Sequence, residues 1–155
     1  KENFLFQISP FIIGKGKKIF KTAEKNQFEG IVAKKIDSIY EFKRSNKWKK
    51  IKIWRYKNVN IGGYNSDKTA LLVGEKISEN KLQYLGKVKT ALSRRETEAL
   101  LNFLPDIKIK NSPFIITPPE SDIKWVKPAI SCKVKYTEIT PDNKFRHGHI
   151  VKLNL

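Results

Sequence analysis

The sequence predicts an α+β chain that is mostly β: a short mixed segment over residues 1–57, then a five-stranded barrel with one helix over residues 58–155. Three observations lead there. Short runs alternating apolar with polar residues recur at even spacing after residue 57. One amphipathic stretch, near residues 93–104, interrupts them after the third run. Hydrophobic residues make up 39% of a 155-residue chain, enough to bury one core.

The elements follow in order. Residues 4–9, FLFQIS, alternate apolar with polar side chains and read as a strand closed by Pro10. After Gly14 and Gly16, residues 17–26 put Ile19, Phe20 and Ala23 on one face of a short basic helix. Residues 28–36 are apolar and β-branched, as strands are. A turn around Ser45 and Asn46 leads to a second extended stretch, residues 49–54, and charge density falls after Lys57. That change places a domain boundary near residues 54–58.

Beyond it, residues 59–64 (VNIGGY) form a strand with a Gly-Gly bend, and residues 69–77 and 81–88 flank Ser78-Glu79-Asn80 as a hairpin. Ser93 and Glu96 have capping-box spacing; Leu100, Leu101 and Leu104 supply an apolar stripe, and Pro105 ends the helix. A proline-rich coil at 111–120 leads into a strand at 130–139. There Ile130, Cys132, Val134 and Tyr136 point one way and Lys133 and Lys135 the other. A turn at Pro141-Asp142-Asn143 precedes a last strand, residues 144–153. Three strands, a helix and two strands is the order of an OB barrel, whose open face suits nucleic acid.

Net charge is +17, and it is uneven: residues 1–57 carry 16 basic and 5 acidic side chains, residues 58–155 carry 16 and 10. Residues 43–57, KRSNKWKKIKIWRYK, hold eight Lys or Arg, two Trp and no acid. Such a surface attracts polyanions by counterion release, nucleic acid first and an acidic membrane surface next. No apolar run approaches the roughly 18 residues that span a bilayer, and no leader opens the chain, which therefore reads as soluble and intracellular. Cys132 stands alone, so no internal disulfide forms. Lacking methionine and starting at Lys1, the chain reads as a trimmed segment of something longer.

Two segments carry chemistry. In an extended stretch 48–53, Trp48, Lys50 and Lys52 share one face and Ile51 and Ile53 the other, so two ammonium groups project in parallel at a spacing suited to one phosphate. With water excluded, such a pair stabilises charge on a transferring phosphoryl group; in water it is a solvated edge strand. Glu29 begins an apolar strand and is followed by Gly30, which lets another group approach the backbone. A carboxylate there suits Mg²⁺ held against nucleotide phosphates, or an ion pair with a neighbouring lysine.

The run EGIVAK (residues 29–34), then DSIY (37–40), Arg44-Ser45 and WKKIK (48–52) is similar to motifs IV and V of ATP-dependent DNA ligases. It resembles the ligase domain of bacterial non-homologous end-joining ligases. Downstream, IGGY (61–64), LLVG (71–74), YLGKV (84–88), Ser112-Pro113-Phe114, WVKP (125–128) and Arg146-His147 resemble that family's OB domain, in order. The resemblance implies that residues 1–57 end a nucleotidyltransferase domain and residues 58–155 form the OB domain.

It further implies a three-step reaction using ATP: a lysine attacks ATP to form lysyl-AMP, AMP passes to the 5′-phosphate of a nick, and the 3′-hydroxyl displaces AMP. Glu29 would be the catalytic and metal-binding carboxylate, with Mg²⁺ or another divalent ion, and Lys50 and Lys52 the pair at the AMP phosphate. Lys34 and Arg44 would line the nucleotide site. Duplex DNA with nicks or ends would be the partner, held by Lys43, Arg55, Lys87 and Arg146 through phosphate contacts. An N-terminal ligase half, on this chain or another, would complete the enzyme in the bacterial cytoplasm, associated with the nucleoid.

Departures bear on activity. The nucleophile motif Lys-x-Asp-Gly is absent, since KIDS at 35–38, directly after EGIVAK, goes with the motif IV strand, so this chain by itself is expected not to adenylate itself. Gly148 stands where the family usually has proline, the basic motif VI is divergent or cut away, and Lys89 and Ala91 replace expected glycines. His147 and His149 fall short of the three or four ligands of a zinc site. A stand-alone OB protein that grips DNA without chemistry, and an RNA ligase or capping enzyme of the same superfamily, remain as alternatives.

Overall fold

The computed structural model describes residues 11–154. The chain divides between Ile53 and Trp54 into two compact units. The division precedes Lys57 because residues 55–57 open a continuous 11-residue strand of the second unit.

In the first unit, α1 (Gly16–Lys25) is followed by β1 (Gly30–Lys34) and β2 (Trp48–Lys52). The helix forms on its apolar stripe, with Ala23 buried and Ile19 and Phe20 half-buried. The two strands pair antiparallel, with Gly30 opposite Lys52, Val32 opposite Lys50 and Lys34 opposite Trp48. The strand expected at residues 4–9 lies outside the described residues. This unit's core is thin: among its described residues, Ala23 and Ile53 are the buried apolar side chains, while Phe11, Phe28, Ile36, Ile39 and Phe42 stand exposed. Ile53 faces inward as its alternation requires, but Ile51 on the same face stays 42% exposed.

The second unit contains β3 (Arg55–Asn65), β4 (Leu71–Ser78), β5 (Lys81–Thr90), α2 (Arg94–Phe103), β6 (Ile123–Trp125), β7 (Ser131–Tyr136), β8 (Glu138–Ile139), β9 (Phe145–Arg146) and β10 (His149–Asn154). β3 pairs with β4, β4 with β5, β5 with β10, β10 with β7, and β7 returns to β3, so five strands close a ring. All these pairings are antiparallel except β5 with β10. Closure removes the unpaired edges that an open sheet exposes. β3 serves three neighbours by its length: residues 55–60 face β7, residues 60–64 face β4, and residues 63–65 face β6. This is the expected OB order of three strands, a helix and two strands.

The interior is built from Val59, Ile61, Leu71, Val73, Leu85, Val88, Cys132, Val134 and Ile150, with Leu100 of α2 and Leu104 just beyond it packed in. Burying each large aliphatic side chain is worth about 1.5–3 kcal/mol. A smaller cluster of Leu72, Leu82 and Phe114, covered by Tyr84, Ile123 and Trp125, lies under the proline-rich coil. Phe114 enters it because the coil bonds the barrel on both sides, Leu82 N–H to Pro113 O (2.9 Å) and Ile115 N–H to Leu82 O (3.0 Å).

Three local expectations change. β6 arises within a stretch that the sequence leaves without a strand, because its three residues extend the sheet at residues 63–65 of β3. The α-helix stops at Phe103, and Pro105 lies inside a 3₁₀ turn, Leu104–Ile107, that continues it. The last strand is two: β9 pairs with β8, and β10 joins the barrel after His147 turns the chain with φ +56°.

Candidate functional site

The β1–β2 hairpin carries most of the candidate nucleotide residues. Directly opposed residues of an antiparallel pair point to the same face, so the register puts Lys34, Val32 and Gly30 beside Trp48, Lys50 and Lys52. Lys34 Nζ lies 3.9 Å from the centre of the Trp48 ring, a cation–π contact that holds the ammonium on this face. Trp48 is fixed in turn, its indole N–H donating to Ser38 Oγ at 3.1 Å. Lys50 and Lys52, two residues apart on one strand, are separated by about 6.8 Å along it.

Glu29 joins them at the hairpin's end. Its Oε1 lies 3.5 Å from Lys52 Nζ, and its carbonyl accepts from the Ile53 N–H at 2.9 Å. Gly30 permits that approach: a Cβ on it would lie 2.2 Å from the Ile51 carbonyl oxygen. The Glu29 and Lys52 side chains are 51% and 30% exposed, so in this open hairpin their attraction is weak and gains strength as water is excluded. As for a divalent ion, Glu29 is a hard oxygen donor, and no group of three or more His, Cys, Asp or Glu assembles among the described residues. The site thus fits Mg²⁺ as one carboxylate completed by substrate oxygens.

Arg44 and Lys43 lie in the loop between the strands, both exposed, lining a depression with Tyr40, Phe42 and Trp48. Tyr40 packs edge-on against Phe42 (centroids 5.0 Å) and against Trp48 (5.4 Å), which ties this loop to the lysine-bearing face. Sequence reading passes over this aromatic row. Its signal was the spacing Tyr40-x-Phe42 ahead of Trp48.

The remaining DNA candidates sit on the barrel. Arg55 starts β3 opposite Tyr136, and Lys87 is exposed on β5. Arg146 on β9 is engaged with Glu138 (2.7 Å). Neither histidine of the 147–149 segment joins a ligand cluster: His147 Nδ1 lies 3.2 Å from Thr137 Oγ1, and His149 Nδ1 2.9 Å from the His147 carbonyl. Cys132 is buried in the barrel, where desolvation pushes its thiol up to about 12 and keeps it neutral.

Residues 65–154, more than half of the chain, match the family model described as the ATP dependent DNA ligase C terminal region. The Multifunctional non-homologous end joining DNA repair protein LigD of Mycobacterium tuberculosis is 35% identical over 146 residues, covering 87% of this chain and 19% of that protein. A crystal structure of the ligase domain of M. tuberculosis LigD superposes with a TM-score of 0.62 at 33% identity, covering 90% of this chain and 48% of that one. A mycobacterial DNA ligase D complexed with ATP and MES gives 0.59 at 34% identity, with the same coverage. The chain therefore spans about half of the ligase domains it matches and about a fifth of the full-length relative. From the match to the family model, with fold and residues in agreement, the chain belongs to the ATP-dependent DNA ligases and corresponds to their C-terminal region.

Proposed function

We propose that this chain supplies the phosphate-handling wall and the OB domain of an ATP-dependent ligase that seals nicks or ends in duplex DNA during end joining. The observation that carries the reading is the hairpin face on which Lys34, Lys50 and Lys52 stand together, with Glu29 3.5 Å from Lys52. A lysine outside these 155 residues attacks the α-phosphorus of ATP, forming a P–N bond as pyrophosphate leaves. The DNA 5′-phosphate then takes the AMP and releases that lysine. Finally the 3′-hydroxyl oxygen attacks the 5′-phosphorus and AMP departs. In each step negative charge grows on phosphoryl oxygens, and Lys50 and Lys52 are placed to neutralise it. Glu29 orients Lys52 and offers the protein's oxygen to a divalent ion, which when bound shields phosphate charge. Lys34 and Arg44 border the nucleotide, and Lys43, Arg55, Lys87 and Arg146 touch DNA phosphates.

The unit beginning at Trp54 also favours a rival: its closed barrel has its own core, as a DNA-gripping module without chemistry would. Complementation separates the two. The 155-residue chain is mixed with a separately made nucleotidyltransferase N-terminal half bearing the nucleophile, ATP, Mg²⁺ and nicked DNA. The expected result is labelling of that half with AMP and sealing, each lowered about 10²–10³-fold by Lys50→Ala or Lys52→Ala. Sealing that needs no part of this chain, or that survives Glu29→Ala and Lys50→Ala unchanged, overturns the ligase reading.

A further inference from the structure

The segment joining β1 to β2, residues 35–47, holds two acids and four bases. Asp37 pairs with Lys35 at 3.2 Å, and Glu41 pairs with Lys47. Among the described residues this leaves Lys43 and Arg44 without an acidic partner. On the same segment Phe42 is 97% exposed, more than any other large apolar side chain among the described residues.

The loop that presents this ring is braced. At its base the Lys35 N–H donates to the Lys47 carbonyl at 2.8 Å, and the Lys47 N–H donates to Ser45 Oγ at 3.2 Å. Tyr40 stands between Phe42 and Trp48, meeting their planes at 85° and 61°. No parallel ring therefore covers either broad face of Phe42, and its exposure leaves both to solvent. A ring held out in water forgoes the burial that sends apolar side chains inward. A braced loop, in turn, loses little conformational entropy when a ligand settles on that ring.

A single exposed aromatic side chain is ordinary. Here the ring lines one depression with Tyr40 and with two cations that no acid engages. The matching ligand has flat apolar faces joined by negative charges. An unpaired nucleotide strand has both, bases for the ring and phosphates for the cations. Paired bases in a duplex keep their faces inside their own stack, and an apolar protein surface would strip water from the cations and leave them unmatched.

We propose that the β1–β2 loop is a stacking platform for an unpaired base at a frayed or overhanging DNA end, with Phe42 as the stacking ring, Tyr40 as its support and Lys43 at the adjoining phosphate. The proposal deepens the ligase reading and rests on it for the choice of DNA over RNA.

The test uses the 155-residue chain and fluorescein-labelled 12-nucleotide single strands of equal charge, one carrying bases and one abasic throughout, at several salt concentrations. Phe42→Ala is expected to weaken the base-bearing strand about 5-fold or more, to leave the abasic strand at parental affinity, and to keep the log–log salt slope, since no phosphate contact is lost. Phe42→Trp is expected to retain parental binding, and Phe42→Leu to behave as the alanine variant. A central 2-aminopurine, whose emission falls on stacking, is expected to be quenched by the parent chain and not by Phe42→Ala. Phe11→Ala, which removes another exposed ring of the same unit, is the control. Equal losses on the two strands, equal effects of Phe42→Ala and Phe11→Ala, parental quenching by Phe42→Ala, or no binding by the parent chain each overturn the proposal. So does a Phe42→Ala chain that binds the strand normally and loses affinity for the separately made N-terminal half, which assigns the ring to a protein interface. A ribonucleotide strand of the same sequence is expected to bind no more tightly, and tighter binding overturns the choice of DNA. The strand assay contains neither ATP nor the N-terminal half, so its failure is distinct from a failure of sealing complementation.

Discussion

Gly30 concentrates the hairpin's geometry in one missing atom. Its φ is +155°, and a Cβ would also lie 2.9 Å from the Lys52 Cα, so any side chain pushes β1 off β2 exactly where Glu29 meets Lys52. Gly30→Ala is expected to cost the hairpin about 2 kcal/mol, seen as faster amide exchange at residues 30–34, and to lower sealing in the complementation assay. A hairpin with parental exchange rates would contradict the close approach. Asp142 gives a second residue-level expectation. The Lys144 ammonium, 2.8 Å away, and the Thr140 hydroxyl hold its carboxyl at about 2, below the ordinary 3.8. Because the folded value lies below the unfolded one, the stabilisation is complete above about 4 and fades as pH falls through about 2. A carboxyl carbon titration of Asp142 is expected to have its midpoint near 2, and a midpoint near 4 removes the effect. Both Gly30 and Cys132 were legible in the sequence, the first because glycine after a carboxylate in a strand signals close approach, the second because period-two alternation sends it inward. The partners of Asp142 were not, since only the folded turn brings Thr140 and Lys144 onto it.

Among the elements, α2 was the most legible, because its signals are local. Ser93 Oγ accepts from the Glu96 N–H at 3.3 Å while Glu96 Oε2 accepts from the Ser93 N–H at 2.9 Å, the reciprocal pair that their spacing predicts. Ser93→Ala is expected to lower stability by about 1 kcal/mol in urea unfolding. The Ser93 hydroxyl also holds the Glu96 carboxyl below its usual range, so the Glu96 side chain's share of the cap fades in acid, and Glu96→Gln should flatten that acid slope. Leu104→Ala, by contrast, empties a fully buried site and should cost about 2–5 kcal/mol. β6 was illegible because three residues carry no periodicity, and it exists only through its pairing with β3. The division of residues 144–153 has a signal that was available: a Cβ at Gly148 would lie 2.6 Å from Val88 Cγ1, so the His-Gly pair marks the chain's turn against β5.

At the scale of the molecule, the two units differ in self-sufficiency. The barrel has a continuous buried core, whereas the described residues of the first unit bury Ala23 and Ile53 and leave Phe28, Ile36 and Phe42 in water. Residues 54–155 expressed alone are therefore expected to unfold in one cooperative thermal transition, and residues 11–53 alone to show none. A sharp transition from the shorter piece would refute the difference. Strand order was readable from the spacing of apolar runs. The ring was not, because sequence shows which segments are extended and leaves unstated which ones pair. That ring carries a consequence for biosynthesis. Its closing seam joins His149 to Lys89, so a nascent chain emerging from the ribosome holds β3, β4 and β5 as an open meander with bare edges until β10 has been translated. Closure of this unit therefore waits on the synthesis of β10, and its exposure to chaperones is set by the time taken to synthesise the stretch between them.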